Sequence, residues 1–300
     1  MCLVLALSVG IPSAHGQAWL QDRGATYVKL SRQSSLAADQ FRQDGSTAPY
    51  AAGLDGNGFE DRSTYLYTEH GLTGGTTLIL MLPYKDLLVR TPHPQASSGL
   101  PGTDRPIERE STGFQNVYLG IRRDVTALLG LPVDGVHRAA VNLGTRLPLG
   151  YDREVTPAIG PGQIDLDIML HYGVSLWPLP GYAQAGAGLR VRSGVFGLSR
   201  GSETPDYGNE WLLHLEAGMS VGRWALLQGL FFGTISNQPP ETAFDPQNPV
   251  PTRQRYIKPG VGLTLYPFRW LGVSAQAFTT PWGANTERSI DWFVGVEARF

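Results

Sequence analysis

The sequence predicts an all-β fold, a transmembrane antiparallel up-and-down β-barrel of about twelve strands. Three observations predict it. Polar and apolar residues alternate in segments of strand length, the links between these segments are alternately long and short, and tryptophans lie near the segment ends. Alternation with a period of two is typical of a strand with one polar and one apolar face. In a membrane barrel the apolar face contacts lipid and the polar face lines the lumen.

The composition agrees with this fold and excludes several functions. Only 17% of the 300 residues are charged and 37 are glycine, whereas soluble domains average about 25% charged residues and about 7% glycine. Glycine is unfavourable in helix interiors by about 1 kcal/mol, so strands and turns are favoured. The net charge of -2 provides no strong field for nucleic acid, which is not expected as a partner. Because Cys2 is the one cysteine, we expect no intramolecular disulfide and no Cys-based metal site. No bound metal or other cofactor is expected, and no Gly-rich loop suits a phosphate.

Residues 1–16 are predicted to be a secretory signal peptide. An apolar run from Cys2 to Ile11 precedes the small-residue pattern Ala14-His15-Gly16, and this run is too short to span a bilayer. No basic residue precedes the run, so the signal peptide is predicted to be truncated at its start. A buried N-terminal strand or helix is the alternative. Residues 17–300 are then one barrel domain, expected in the bacterial outer membrane after export across the inner membrane.

The links between the predicted strands alternate in length. Links of odd number are long and polar, such as Ser35 to Gly58, whereas most others are tight turns, such as Thr73-Gly74-Gly75. This rhythm is typical of a barrel with short periplasmic turns, long extracellular loops and both termini in the periplasm. Charged residues interrupt Trp211 to Ser236, so we predict a hairpin there rather than a membrane helix. The predicted strands are 24–34, 59–72, 76–89, 112–127, 137–149, 163–177, 182–193, 209–221, 224–236, 255–266, 271–280 and 289–300.

Aromatic residues beside the turns suit the girdles at the two membrane interfaces. Ordinary core packing is the alternative for any single one, but their shared position favours the girdle. They are Tyr84, Trp177, Trp211, Trp224, Tyr266, Trp270, Trp282 and Trp292.

The last predicted strand carries the clearest alternation. Its lipid face is predicted to consist of Ile290, Trp292, Val294, Val296, Ala298 and Phe300. An alternating strand that ends in an aromatic residue resembles the signal by which barrel-assembly machinery recognises its clients. Besides the lipid bilayer, this machinery is the predicted partner. The strand ending near Ser34 is expected beside the last strand, across the seam that closes the barrel.

The same alternation assigns a set of polar and aromatic side chains to the lumen, where they form a candidate path for a small solute. They are Tyr27, Lys29, Tyr65, Tyr67, Glu69, Tyr118, Arg122, Arg146, Asp165, Asp167, His171, Arg190, Arg192, His214, Glu216, Lys258, Glu297 and Arg299. Because acids nearly balance bases, a narrow or partly plugged lumen of mixed charge without strong selectivity is predicted. The tyrosines suit weak stacking of small apolar solutes, or they fill the lumen.

Two predicted lumen histidines invite an enzymatic hypothesis. His171 and His214 are expected near Asp165, Asp167 and Glu216, and such a cluster could bind a metal or act as a general base. It could equally be a hydrogen-bonded network that pairs the charges inside a small barrel. The network is favoured, because no serine nucleophile or protease-like constellation accompanies the histidines. The chain is therefore not expected to be an enzyme.

Three stretches resemble a known family. The opening AWLQDRGATYVKLS, the hairpin from Ser63 to Tyr84 and the aromatic-terminated last strand resemble the outer-membrane barrels grouped as phenol meta-pathway degradation-type transporters. The Tyr-rich second strand with Glu69-His70-Gly71-Leu72 is the most specific part, although the family more often has an aromatic residue in place of His70. The resemblance implies passive passage of small, often hydrophobic or aromatic, molecules.

Three functions remain open from the sequence. An outer-membrane channel or transporter for small solutes is the leading hypothesis. A structural or adhesive barrel acting through its extracellular loops, such as 237–254, is the second. A membrane hydrolase that uses His171 or His214 is the third.

Overall fold

The computed structural model describes residues 18–94, 105–152, 155–193, 207–240, 244–247, 250 and 252–300. The predicted signal peptide, residues 1–16, lies outside the described residues. No described helix is long and apolar enough to cross a membrane. The described strands are β1 (Thr26–Phe41), β2 (Thr47–Pro49), β3 (Phe59–Asp61), β4 (Thr64–Gly71), β5 (Thr76–Thr91), β6 (Ile107–Phe114), β7 (Val117–Asp124), β8 (His137–Leu147), β9 (Ile164–Ser175), β10 (Gly181–Ser193), β11 (Glu210–Val221), β12 (Ala225–Ser236), β13 (Arg255–Phe268), β14 (Leu271–Thr279), β15 (Trp282–Ala284) and β16 (Thr286–Arg299).

These strands form one closed antiparallel barrel of twelve strands. β3 and β4 are two parts of the second barrel strand, and β6 and β7 are two parts of the fourth. The short strands β2 and β15 pair with the extracellular ends of β1 and β13. A closed barrel leaves no edge, so every spanning strand has a partner on both sides for its backbone hydrogen bonds. The predicted fold class is confirmed, as is the predicted hairpin of β11 and β12.

The closing seam joins β1 to β16. Lys29 pairs with Glu297 and Ser34 pairs with Trp292. At the periplasmic end, Thr26 and Phe300 exchange two backbone hydrogen bonds, of 2.7 and 3.0 Å. The predicted neighbours are therefore confirmed. The first strand does not end near residue 34 as predicted, because β1 continues to residue 41 and turns into β2, so part of the expected loop is strand.

The two faces of β9 show why these segments become strands. Leu166, Ile168 and Leu170 are about half exposed on the outer face, whereas Asp165 and His171 are buried on the inner face. The apolar side chains thus remain in contact with lipid, while the polar ones find hydrogen-bond partners inside. The tight periplasmic turns use glycine where the backbone needs positive φ, as at Gly74 (64°) and Gly222 (58°).

Tryptophans on the outer surface lie at both ends of the apolar belt. All of those predicted for the girdles are exposed by 46% or more, from Trp282 at 46% to Trp177 at 72%. Tyr266 departs from the prediction, because it is only 7% exposed and its hydroxyl donates to Glu297 at 3.3 Å. Its inward direction follows from the strand period, since Leu263 and Leu265 face outward on the same strand.

Candidate functional site

The periplasmic end of the lumen is closed by the N-terminal segment, residues 18–24, which precedes β1. The backbone N–H of Ala18 donates to Oε1 of Gln184 at 2.9 Å. The backbone N–H of Gln21 donates to Oγ1 of Thr77 at 2.9 Å, and its side-chain Nε2 donates to Glu69 at 2.7 Å. These partners belong to three different barrel strands, so the segment crosses the lumen rather than following one wall.

The barrel wall has recesses that fit this segment. A Cβ atom on Gly173 would lie 2.6 Å from the ring of Trp19, and one on Gly71 would lie 1.9 Å from the carbonyl oxygen of Asp22. Both distances are shorter than a van der Waals contact, so a larger residue at either place would displace the segment. The Trp19 ring also packs edge-on against Tyr182, with 5.6 Å between ring centroids. The periplasmic closure is therefore built by the wall and the segment together.

The extracellular end is closed by an apolar cluster from the loops. Tyr50 stacks on Phe59 at 6.0 Å and meets Phe244 edge-on at 5.4 Å between centroids. Ala37, Ala51, Leu87 and Val89 complete this extracellular cluster. Tyr50 is fully buried, and burial raises the pKa of its hydroxyl well above the usual value. Loops that the sequence placed outside the barrel therefore fold inward at this end.

A third loop joins the extracellular closure. The hydroxyl of Tyr151 donates to Oδ1 of Asn116 and accepts a hydrogen bond from the backbone N–H of Gly162 at 2.7 Å. Ala158 and Ile159 on this loop are buried and line the space below it. The loop between β8 and β9 is thus held against the barrel wall by buried polar contacts.

In the part of the barrel that the structure describes, three adjoining cavities lie between the two closures. The extracellular cavity has a volume of about 230 Å³, the central cavity about 400 Å³ and the periplasmic cavity about 200 Å³. Gln33 and Lys258 line both the extracellular and the central cavity. Tyr67, His214 and Phe232 line both the central and the periplasmic cavity. Shared lining residues mean that the cavities follow one another along the barrel.

Most side chains predicted for the lumen line one of these cavities. The periplasmic cavity contains Tyr27, Lys29, Tyr67, Glu69, His214, Glu216, Glu297 and Arg299. The central cavity contains Tyr67, Tyr118, Arg122, Arg146, Asp167, Arg190, His214 and Lys258. The remaining predicted residues, Tyr65, Asp165, His171 and Arg192, lie inside the barrel within the contact networks around the cavities.

Six lumen charges form one alternating chain along the wall of β8 to β11. Arg146 contacts Asp167 at 3.1 Å, Asp167 contacts Arg190 at 2.8 Å, and Arg190 contacts Glu210 at 2.9 Å. Glu210 then contacts Arg192 at 3.0 Å, and Arg192 contacts Asp165 at 3.6 Å. Positive and negative charges are equal in number, which offsets the desolvation that burial costs.

Other lumen charges are paired locally. Arg122 contacts Glu69 at 2.9 Å, and Lys258 contacts Asp291. Glu216 accepts hydrogen bonds from Tyr182 and Gln228 and lies 3.5 Å from Nε2 of His214. The expected single cluster of histidines with Asp165, Asp167 and Glu216 is therefore divided into separate networks. Among the described residues, no group of three His, Cys, Asp or Glu could hold a metal ion.

Sequence reasoning missed the apolar part of the lumen. Phe232, Phe278 and Phe293 line the central cavity together with Met81 and Met169. The rings of Phe278 and Phe293 meet edge-on at 5.8 Å, and Phe232 lies 5.6 Å from Phe278. The signal was present in the strand phase, because Phe293 lies between Trp292 and Val294, which are predicted to face lipid. The predicted lumen set contains only polar residues and tyrosines, so it does not include these phenylalanines.

The fold is that of known outer-membrane channels. It is similar to the COG4313 outer membrane channel from Pseudomonas putida F1, with a TM-score of 0.70 and 14% identity over 95% of this chain and 99% of that chain. The NanC porin has a TM-score of 0.52 and 6% identity over 90% of this chain and 98% of that chain. The KdgM porin in complex with disordered oligogalacturonate has a TM-score of 0.50 and 6% identity over 91% and 99% of the two chains. No protein family and no curated protein matches the chain. At these identities the similarity shows the fold alone.

Proposed function

We propose that this protein is an outer-membrane channel for the passive passage of small solutes. The observation that carries the proposal is the series of three adjoining cavities along the lumen. The ends of this series are closed by the N-terminal segment and the loops, which can move without opening the barrel wall.

Small hydrophobic or aromatic molecules are the proposed solutes, as the resemblance to the phenol meta-pathway transporters implies. Phe232, Phe278 and Phe293 support this, because aromatic rings attract aromatic solutes through offset or edge-on contacts. The paired lumen charges also support it, since they leave little net charge to attract or repel ions. Membership of that family is part of the same proposal.

Solute flux into liposomes tests the proposal. Liposomes containing the refolded protein are expected to admit phenol-sized solutes faster than empty liposomes, and to exclude large saccharides. Deletion of residues 18–23 is expected to raise the flux, because it removes the periplasmic closure. No flux for any small solute, with or without the deletion, would overturn the channel proposal if the barrel is folded.

An adhesive role receives less support from the loops. Part of the loop between β12 and β13 packs inward, where Phe244 is buried in the extracellular cluster. Deleting residues 237–254 should therefore raise permeability if the protein is a channel. In an adhesive barrel the same deletion would abolish surface binding and leave permeability unchanged.

A hydrolase role can be tested at the two buried histidines. His171 is 0% exposed and His214 is 2% exposed, so neither is open to a large substrate. Replacing both with alanine should leave the hydrolysis of lipids and peptides at the background level of the wild type.

The last strand is proposed to direct assembly in the bacterial outer membrane. Trp292, Val294, Val296 and Phe300 face outward, and Ala298 lies between them on the same face. This leaves the aromatic and aliphatic side chains available to the barrel-assembly machinery. Phe300→Ala is expected to reduce the amount of heat-modifiable barrel in outer-membrane fractions, and an unchanged amount would contradict this role.

A further inference from the structure

We propose that the central cavity binds a small aromatic carboxylate, with the guanidinium of Arg146 holding the carboxylate and the phenylalanine rings holding the ring. The inference deepens the proposed function and rests on it, because it names a solute class for the same lumen. The cations that line the central cavity differ in how their charged groups are paired.

Among the described residues, four cations line the central cavity, and three of them contact an acid through the end of the side chain. Arg190 uses both ends of its guanidinium on Asp167 and Glu210. Arg122 contacts Asn142, Glu69 and the carbonyl oxygen of Trp19. The third cation is Lys258, whose ammonium group donates to Ser289 and Asp291. The end of the side chain is thus occupied by an acid in each of the three.

Arg146 differs from these three cations, because it lies at one end of the alternating chain of charges. Its Nε donates to Asp167 at 3.1 Å, and within the described part of the chain its two terminal nitrogens have no partner. Its side chain is 26% exposed, the same fraction as for Lys258, compared with 16% for Arg190 and 2% for Arg122. The opposite end of the chain of charges, Asp165, does not line this cavity. The chain is neutral as a whole but presents its positive end to the cavity.

The guanidinium of Arg146 is also held in position. It lies over the ring of Tyr118 at 5.3 Å from the centroid. That ring lies against Gly144, where a Cβ atom would come within 2.3 Å of the Tyr118 hydroxyl. A planar guanidinium with two free terminal nitrogens matches the two oxygens of a carboxylate. The fixed position of the guanidinium and its unused N–H donors together make a preformed carboxylate site.

The aromatic part of the solute has its own surface across the lumen. Arg146 is on β8 and Phe278 is on β14, the fifth and the eleventh strand of a ring of twelve. These strands are half a circumference apart, so the cation and the phenylalanine rings face each other. The volume of about 400 Å³ falls in the range of small-molecule sites. A solute with one aromatic ring and one carboxylate would contact both walls.

Binding of benzoate and its neutral analogue benzamide tests the proposal. Affinities for the refolded wild type in detergent would be measured by calorimetry, with ligand-observed NMR as a second readout. The wild type should bind benzoate about tenfold or more tightly than benzamide, since a charged hydrogen bond replaces a neutral one. Arg146→Gln should remove this preference, and Arg146→Lys should restore part of it. Arg123→Gln is the control, because it removes a cation from the exposed outer face of the neighbouring strand β7.

The ratio of the two affinities within each variant does not depend on how much protein folds, and a heat-dependent mobility shift verifies the barrel. Equal affinities for benzoate and benzamide, or no binding of either, would overturn the proposal. A preference that persists in Arg146→Gln would overturn the assignment of Arg146. If liposome flux is observed but benzoate is not preferred, only this inference fails. If benzoate is preferred but no solute crosses, the channel proposal fails instead.

Discussion

The two closures of the lumen are made by different kinds of interaction. At the periplasmic end, the N-terminal segment is held by hydrogen bonds to Gln184, Thr77 and Glu69, and by one tryptophan ring. At the extracellular end, the cluster around Tyr50 is apolar and buried. A net hydrogen bond contributes about 1 kcal/mol, whereas a buried aromatic side chain contributes several. The difference indicates that the periplasmic closure is the one that opens more easily.

The largest expected effect is at the extracellular cluster. Tyr50→Ala should lower the free energy of unfolding by about 3–5 kcal/mol, because it leaves a cavity between Phe59 and Phe244. Urea titration of the barrel in lipid or detergent measures this value. The matched control is Tyr50→Phe, which should stay within about 1 kcal/mol of the wild type, because the hydroxyl has no partner among the described residues. A loss below 1 kcal/mol for the alanine variant would contradict the account of this closure.

A smaller effect is expected for the single ring of the periplasmic closure. Trp19→Ala should cost about 1–3 kcal/mol, because the half-buried ring loses its contact with Tyr182 and the wall. In single-channel recordings the open time should nevertheless increase, since the segment is held less tightly. If open time falls or stays the same, Trp19 does not contribute to closure.

The alternation in the sequence predicts the barrel wall but not the contacts that form the two closures. The alternation placed Asp167 and Glu297 inside and Trp292 outside, because strand period depends on adjacent residues. By contrast, Tyr50 meets Phe244 across 194 positions of chain, and no local pattern encodes that contact. The N-terminal segment has no alternation, so the pattern predicts no strand before residue 24 and does not indicate where the segment lies.

The same limit applies to the candidate site. The sequence predicted Arg146 and Asp167 for the lumen, but neither residue type nor spacing could show which cation keeps free nitrogens. That property depends on Glu210, which was not among the predicted lumen residues and which occupies the far end of Arg190. The phenylalanines on the inner face follow from the strand alternation, but a lumen set limited to polar residues and tyrosines leaves them out.

The periplasmic closure can also be weakened from the barrel wall, without altering the N-terminal segment itself. Gly173→Ala would place a methyl group 2.6 Å from the Trp19 ring, so the segment should be displaced at a cost of about 1–2 kcal/mol. The displacement should appear as increased liposome flux. Gly229→Ala is the control, because a Cβ atom at that position has no neighbour within 4 Å. Similar flux in the two variants would show that the recess at residue 173 has no part in closure.

The smallest effect is expected for one hydrogen bond of the segment. Gln21→Ala removes the bond from its side chain to Glu69 but retains the backbone bond to Thr77. Because Glu69 keeps its contact with Arg122, the free energy of unfolding should fall by only about 1 kcal/mol. A loss of more than about 3 kcal/mol would mean that the segment is part of the folded core and not a movable closure.

If the lumen is a solute path interrupted by two closures, removing each closure should change the single-channel conductance of the protein in planar bilayers. Four proteins would be compared: the wild type, a variant lacking residues 18–23, Tyr50→Ala, and the combination of the two. An interrupted path predicts brief and rare openings for the wild type, longer openings when the N-terminal segment is removed, and the largest conductance for the combination. Folded barrels that show no openings in any of the four would contradict it.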